Sequence, residues 1–277
     1  MIFCQSLKQE IKKKLGKIID LSNILIKLEI HKKEDEIIYK SPLCLQLTKI
    51  IKFPPLIIAQ KIVNLWNDHE ITIKISGQGW LEFTVSNLYL SQWLQQLTTN
   101  SLNCYNHKFV IYRDPFVIPS DSEESPKNLN LQTNNNRYFK LIYAQARCCS
   151  LLRSADRDQL IELANLDFQD FNSYWKAPQP LIFSEEFFDN IWHKKLVREL
   201  AIINDIIIDN FHQKWENIAL SLAEKILDFE RYCRIWGEVK QFNLNLSQTR
   251  LALLGLSQSY LQAIMKAKLG VLPPLEL

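Results

Sequence analysis

Apolar residues recur every three or four positions at the start of the chain. Leu7, Ile11, Leu15, Ile18, Ile19 and Leu21 share one stripe, which predicts an amphipathic helix running from Gln5 to about Leu28. The stretch from Ile24 to Ile30 is β-branched, and after the charged segment His31 to Glu36 come Ile37, Ile38 and Tyr39, a pattern that suits a strand or hairpin. Ser41 and Pro42 open a second helix, with Pro at the first helical position and Leu43, Leu45, Leu47, Ile50 and Ile51 following. Pro54 and Pro55 stop it and start a third, from Leu56 to Trp66. Ile71, Ile73 and Ile75 alternate with Thr72, Lys74 and Ser76, which predicts a half-buried strand; Gly77-Gln78-Gly79 turns it into a second strand, Trp80 to Val85. Ser86 and Asn87 can cap a closing helix through Leu97. Residues 1–110 are therefore expected to be an α+β domain, a small sheet with helices.

From Asp114 to Asn136 the pattern stops. Three prolines, clustered Ser, Asp and Glu and an Asn triplet mark residues 111–136 as a linker. Residues 137–277 return to the helical period. Tyr138 to Arg153 carries Leu141, Ile142, Ala144, Cys148, Leu151 and Leu152, and after a Pro-containing loop, Ala177 to Ser184, the segment Phe187 to Phe211 carries Ile191, Val197, Leu200 and Ile203. Trp215, Ile218, Leu222, Ile226, Phe229, Cys233 and Trp236 follow at gaps of three or four, and a last helix from Leu246 to Leu269 stops at Gly270 before Pro273 and Pro274. An all-α bundle of four or five helices is expected.

Length and composition support two folded domains. The chain has 277 residues, 47% of them apolar and 23% charged, with only 6 Gly and 10 Pro, which excludes a largely disordered or low-complexity chain. No apolar run reaches the roughly 18 residues of a membrane span, and the N-terminal sequence MIFCQSLKQEIKKKLGK lacks a secretory apolar core, so a cytoplasmic location and no membrane partner are expected. Six dispersed cysteines without a Cys-x-x-Cys pair read as buried reduced thiols, and neither a metal site nor a cofactor is expected. Formal charge is +3; residues 1–140 hold 18 basic and 13 acidic side chains, and residues 141–277 hold 15 and 17. The surplus centres on Lys8, Lys12, Lys13, Lys14 and Lys17, a strip suited either to phosphates or to plain solvation.

Two sets of motifs carry a resemblance. Ser41-Pro42-Leu43-Cys44-Leu45-Gln46-Leu47-Thr48-Lys49, Pro55, Ile58-Ala59, Ile62-Val63 and Ile75-Ser76-Gly77-Gln78-Gly79-Trp80-Leu81-Glu82-Phe83 resemble, in order, the N-terminal additional domain of arginyl-tRNA synthetases. Tyr143 to Arg153 resembles the opening helix of the same enzymes' DALR anticodon-binding domain, and Phe229 to Trp236, Arg250 to Leu253 and Leu269 to Val271 resemble its closing helices. The catalytic domain that lies between these two in the family has no room here, because only 43 residues separate Leu97 from Leu141 and a compact α/β domain needs about 100 or more. The family's His-Ile-Gly-His and Lys-Met-Ser-Lys signatures are absent from the sequence. A catalytically inactive paralogue is expected, not an enzyme.

The resemblance also singles out residues. Gly77 and Gly79 lack the third glycine or Gly-Lys-Ser ending of a phosphate loop; they make a tight turn, which the resemblance places near the tRNA elbow with Trp80 beside it, while Phe83 reads as core. Tyr143 and Arg147, four apart on one helical face, suit base stacking and phosphate contact, or packing against each other. Gln145 stands where the family usually has histidine. Arg153 and Arg157, and again Arg231 and Arg234, make short basic strips. With Trp236, Arg250, Lys12 and Lys13 these complete the candidate RNA-binding set. Paired carboxylates at Glu34-Asp35-Glu36, Glu123-Glu124 and Glu185-Glu186 lack a histidine at ligand spacing, so no catalytic residue is expected. The expected function is non-catalytic binding of tRNA or another structured RNA, with a separate protein partner as a further expectation. The alternative is an assembly module that kept the fold and lost RNA binding.

Overall fold

The computed structural model describes residues 6–19, 26–30, 36–99, 131–168, 171–209 and 214–276. Most of the expected linker, Cys4, Cys104, Glu34-Asp35 and Glu123-Glu124 lie outside the described residues. The chain divides into two compact units, one containing Gln5–Leu94 and Phe183–Asp205, the other Gln95–Ile182 and Ile206–Leu277.

The first unit is α+β. Helix α1 (Leu7–Gly16) is capped by the Ser6 side chain, which accepts from the Gln9 amide at 3.0 Å, and buries Leu7, Ile11 and Leu15. It ends at Gly16, well before the expected Leu28, because glycine gives up the helix at little cost. Strands β1 (Glu29–Ile30), β2 (Ile38–Ser41), β3 (Ile71–Ser76) and β4 (Trp80–Val85) form one antiparallel sheet in the order β1-β2-β4-β3. Tyr39 pairs with Phe83 in the register, and both are fully buried. Helices α2 (Leu43–Ile51) and α3 (Pro55–Leu65) line one face with Leu43, Cys44 and Leu47 from one and Ile58, Ala59 and Ile62 from the other. Pro42 sits at the N-cap of α2, one position before the expected one. Helix α4 (Asn87–Thr99) starts where the Ser86 hydroxyl accepts from the Tyr89 amide at 3.1 Å.

The β3–β4 turn is built on glycine. Gly77 and Gly79 have φ of 54° and 105°, a region that L side chains avoid. A Cβ on Gly79 would lie 2.8 Å from Pro55 Cβ and 3.0 Å from the Pro55 carbonyl carbon, so the turn is seated directly on the start of α3. Gly79→Ala is expected to destabilise the unit by about 2 kcal/mol through backbone strain and this contact, as read by urea unfolding; Gly77→Ala, which meets no atom within 4 Å, should cost less.

A 3-10 turn (Glu185–Asp189) and most of a helix also belong to this unit. In chain order the helices continue as α5 (Leu131–Arg157), α6 (Phe171–Tyr174), α7 (Ile191–Asp209), α8 (Trp215–Tyr232), α9 (Glu238–Phe242) and α10 (Leu244–Lys268). Phe183–Asp205, which the helical period places in the 137–277 domain, groups with the first unit. One tie is polar: the Tyr39 hydroxyl donates to Asp205 Oδ2 at 2.8 Å in a buried setting. Burial pushes the Asp205 carboxyl up to about 6, against the Tyr39 hydrogen bond, the Lys8 charge and the Ser6 hydroxyl.

The second unit is mostly helical. α5, α8 and α10 pack on one another at its centre, and with α7, most of which groups with the first unit, the stretch carries four long helices, as expected. α5 begins at Leu131, inside the expected linker, because a helix already nucleated downstream extends at low cost through a stretch that holds no proline. α10 is buried on every side from Thr249 to Gln262, including Ser257, Gln258 and Ser259. Strands β5 (Glu162–Leu163) and β6 (Trp175–Ala177) form a two-stranded ladder within what read as loop and helix. Cys233 and Trp236, read as the continuation of the stripe on α8, fall past its end.

Candidate nucleic-acid interface

α5 presents Tyr143, Arg147, Ser150, Arg153 and Arg157 along one face, as their spacings of three and four require. Together with Asp156, Leu166, Leu275 and Glu276 they line an open groove of about 560 Å³. From Tyr143 to Arg157 the helical rise spans about 21 Å. Tyr143 is 38% exposed and its ring stacks on Phe139, with centroids 6.1 Å apart and planes at 21°. An aromatic face held this way offers a platform for an unpaired base.

Each arginine of the strip is held differently. Glu230 Oε1 lies 2.6 Å from Arg147 Nη2 and 2.7 Å from its Nε, and this hydrogen bond keeps the guanidinium above its ordinary range. Arg153 Nη1 donates to the Leu275 carbonyl at 2.9 Å and meets Glu276 at 3.4 Å, while its guanidinium lies 5.3 Å from the Phe168 ring centroid. Arg157 is exposed and donates to Ser154 Oγ at 3.1 Å. Asp156 accepts from the Leu163 amide at 2.8 Å, so one carboxylate of the groove is committed to starting β5. Three guanidiniums against Asp156 and Glu276 leave the lining with an excess of one positive charge.

Three members of the expected set therefore meet in the groove: Tyr143, Arg147 and Arg153. Arg231 and Arg234 are exposed at and beyond the end of α8 but do not line it. Trp236 donates from Nε1 to Asp158 Oδ2 at 2.7 Å. Arg250 is 7% exposed and donates to the Arg234 carbonyl, which makes it a strut of the bundle interior. Gln145 is fully buried. In the first unit Trp80 is 40% exposed beside the Gly77–Gly79 turn, whereas Phe83 is core, packed against Trp66 at 5.3 Å between centroids. Lys13 is exposed and within 3.8 Å of Glu10; Lys12 is half-buried; Lys14 pairs with Asp68 and lies over the Tyr89 ring at 5.2 Å. The lysine strip of α1 is thus partly spent on internal partners. Leu166, Leu275 and Glu276 are not in the expected set; their approach to α5 is a long-range contact.

Among the described residues no three His, Cys, Asp or Glu side chains are placed to hold a metal ion. Cys44, Cys148, Cys149 and Cys233 are buried free thiols. Burial pushes Cys44 and Cys233 up to about 11 and Cys149 to about 12, so these thiols stay protonated and unreactive near neutral pH.

Comparison with known proteins bears on the first unit. The family model described as arginyl tRNA synthetase N terminal domain matches residues 5–85. These include β1 to β4, α1 to α3 and the two turn glycines. No curated protein and no solved structure matches the chain. The stretch from residue 5 to residue 85 is accordingly an arginyl-tRNA synthetase-like N-terminal domain.

Proposed function

We propose that this chain is a non-catalytic, synthetase-derived protein that binds tRNA or a similarly structured RNA, with its helical unit acting as a DALR-type anticodon-arm module. The observation that carries this reading is the strip on α5, where a stacked tyrosine and three arginines share one face and an open groove. Arginines neutralise phosphates and fix register, and Tyr143 receives an unpaired base. Trp80, exposed next to a glycine turn in the synthetase-like domain, supplies a second contact at the elbow. The reading as non-catalytic rests on the sequence, which carries neither signature that class I synthetases place on ATP phosphates.

The test uses the full chain and total tRNA in a gel-shift across a salt series. Three to five phosphate contacts should give a slope of about −2 to −4 in log affinity against log salt. Absence of a complex at low salt would overturn RNA binding and favour the assembly module. In parallel, arginine, ATP and tRNA should yield no charged tRNA; robust charging would overturn the non-catalytic reading.

A further inference from the structure

α2 and α3 meet at Lys52–Pro54 in a bend of 114°. Their inner faces are used by the core, yet the outer face of the corner is apolar as well. Ile50 is 63% exposed, Ile51 44%, Phe53 49%, Leu56 52% and Ile57 46%. A helix face turned to water is ordinarily polar, and a contiguous apolar group of this kind marks a contact surface. The charge carried by the two helices has one sign. From Leu43 to Asn67 the only charged side chains are Lys49, Lys52 and Lys61, all exposed. Lys61 Nζ lies 5.2 Å from the Phe53 ring centroid, its stem along the apolar surface. The corner is braced, because the β3–β4 turn sits against Pro55, and Trp80 follows directly on that turn.

We infer that this corner docks on the surface of an anionic lipid bilayer. Aliphatic and phenyl side chains at the apex of a helix bend enter the boundary between headgroups and acyl chains. The three lysines meet anionic headgroups. A phosphate backbone would engage the lysines but gains nothing from Ile50, Ile51, Leu56 and Ile57. A second copy docked face to face would set lysines against lysines. No single helix among the described residues is long and apolar enough to cross a membrane, and this mode needs none; the expectation of no membrane partner rested on the lack of a span.

Sedimentation of the full chain with phosphatidylcholine vesicles, with and without phosphatidylglycerol, tests the inference. Retention is expected on anionic vesicles only and should fall with added salt. Lys49→Gln, Lys52→Gln and Lys61→Gln combined should weaken it about 100-fold. Phe53→Asp with Leu56→Asp should weaken it at least as much, with circular dichroism reporting whether that variant folds; if it does not, the lysine variant and the salt series decide. The inference is overturned by no retention on either vesicle or by equal retention on both. It is likewise overturned if the wild type is a dimer that the aspartate variant disperses, or if that variant loses tRNA while the wild type ignores vesicles.

Discussion

Asp205→Asn should flatten the dependence of stability on pH. The carboxyl titrates at about 6 in the folded protein against an ordinary 3.8, so the folded state holds its proton over that interval while the unfolded state has released it. Stability from this group is therefore fully present below about pH 4 and is lost as pH rises through 6. The difference of 2.2 units corresponds to roughly 3 kcal/mol. Asparagine keeps an oxygen for the Tyr39 hydroxyl and removes the buried charge, so it should stabilise the folded state by about 2 kcal/mol at pH 8, after the cost of placing one amide N–H. At pH 3.5 the two proteins should differ little. Urea unfolding at several pH values measures both limbs. Equal urea midpoints for both proteins at pH 8 would refute a strained carboxylate at this position.

Arg153→Gln combined with Arg157→Gln should lower affinity for tRNA about 100-fold at low salt, since each lost charge-assisted contact is worth about 1.5 kcal/mol. The salt slope should shrink by about two, one for each phosphate contact removed. Lys176→Gln removes a positive charge from the same unit that is already paired with Glu162, and it should leave affinity unchanged. If a single lysine change of this kind costs as much per charge as the arginine pair, binding is spread over the whole surface and the groove holds no privileged site. Tyr143→Leu, by contrast, should lower affinity about tenfold with no change in slope, because stacking carries no counterion.

What could be read from residues alone divides by range. The alternation at Ile71–Ser76, the glycine turn and the prolines before α2 and α3 are local signals, and the sheet and its helices follow them closely. Gly16 is a local signal too, set against an apolar stripe that continues to Leu21. The grouping of Phe183–Asp205 with the first unit was invisible, because its polar tie joins residues 166 positions apart. The candidate site shows the same split. Tyr143, Arg147 and Arg153 share a face by spacing alone, whereas Arg250 sits on a helix whose every side is enclosed, so its charge gave the wrong impression of exposure. Leu275 and Glu276 became part of the groove only through the path of the chain after Gly270.

The enclosure of α10 has a consequence for how this half of the molecule can change over time. From Thr249 to Gln262 this helix has almost no surface left with which to meet anything, so substitutions there are filtered by folding. The groove lies on the outer face of α5, at Tyr143, Arg147, Ser150, Arg153 and Arg157, and on Leu275 and Glu276, positions that can change while the buried face of α5 and α10 hold the scaffold. A fold of this kind can exchange one ligand for another by revising a handful of side chains on its rim.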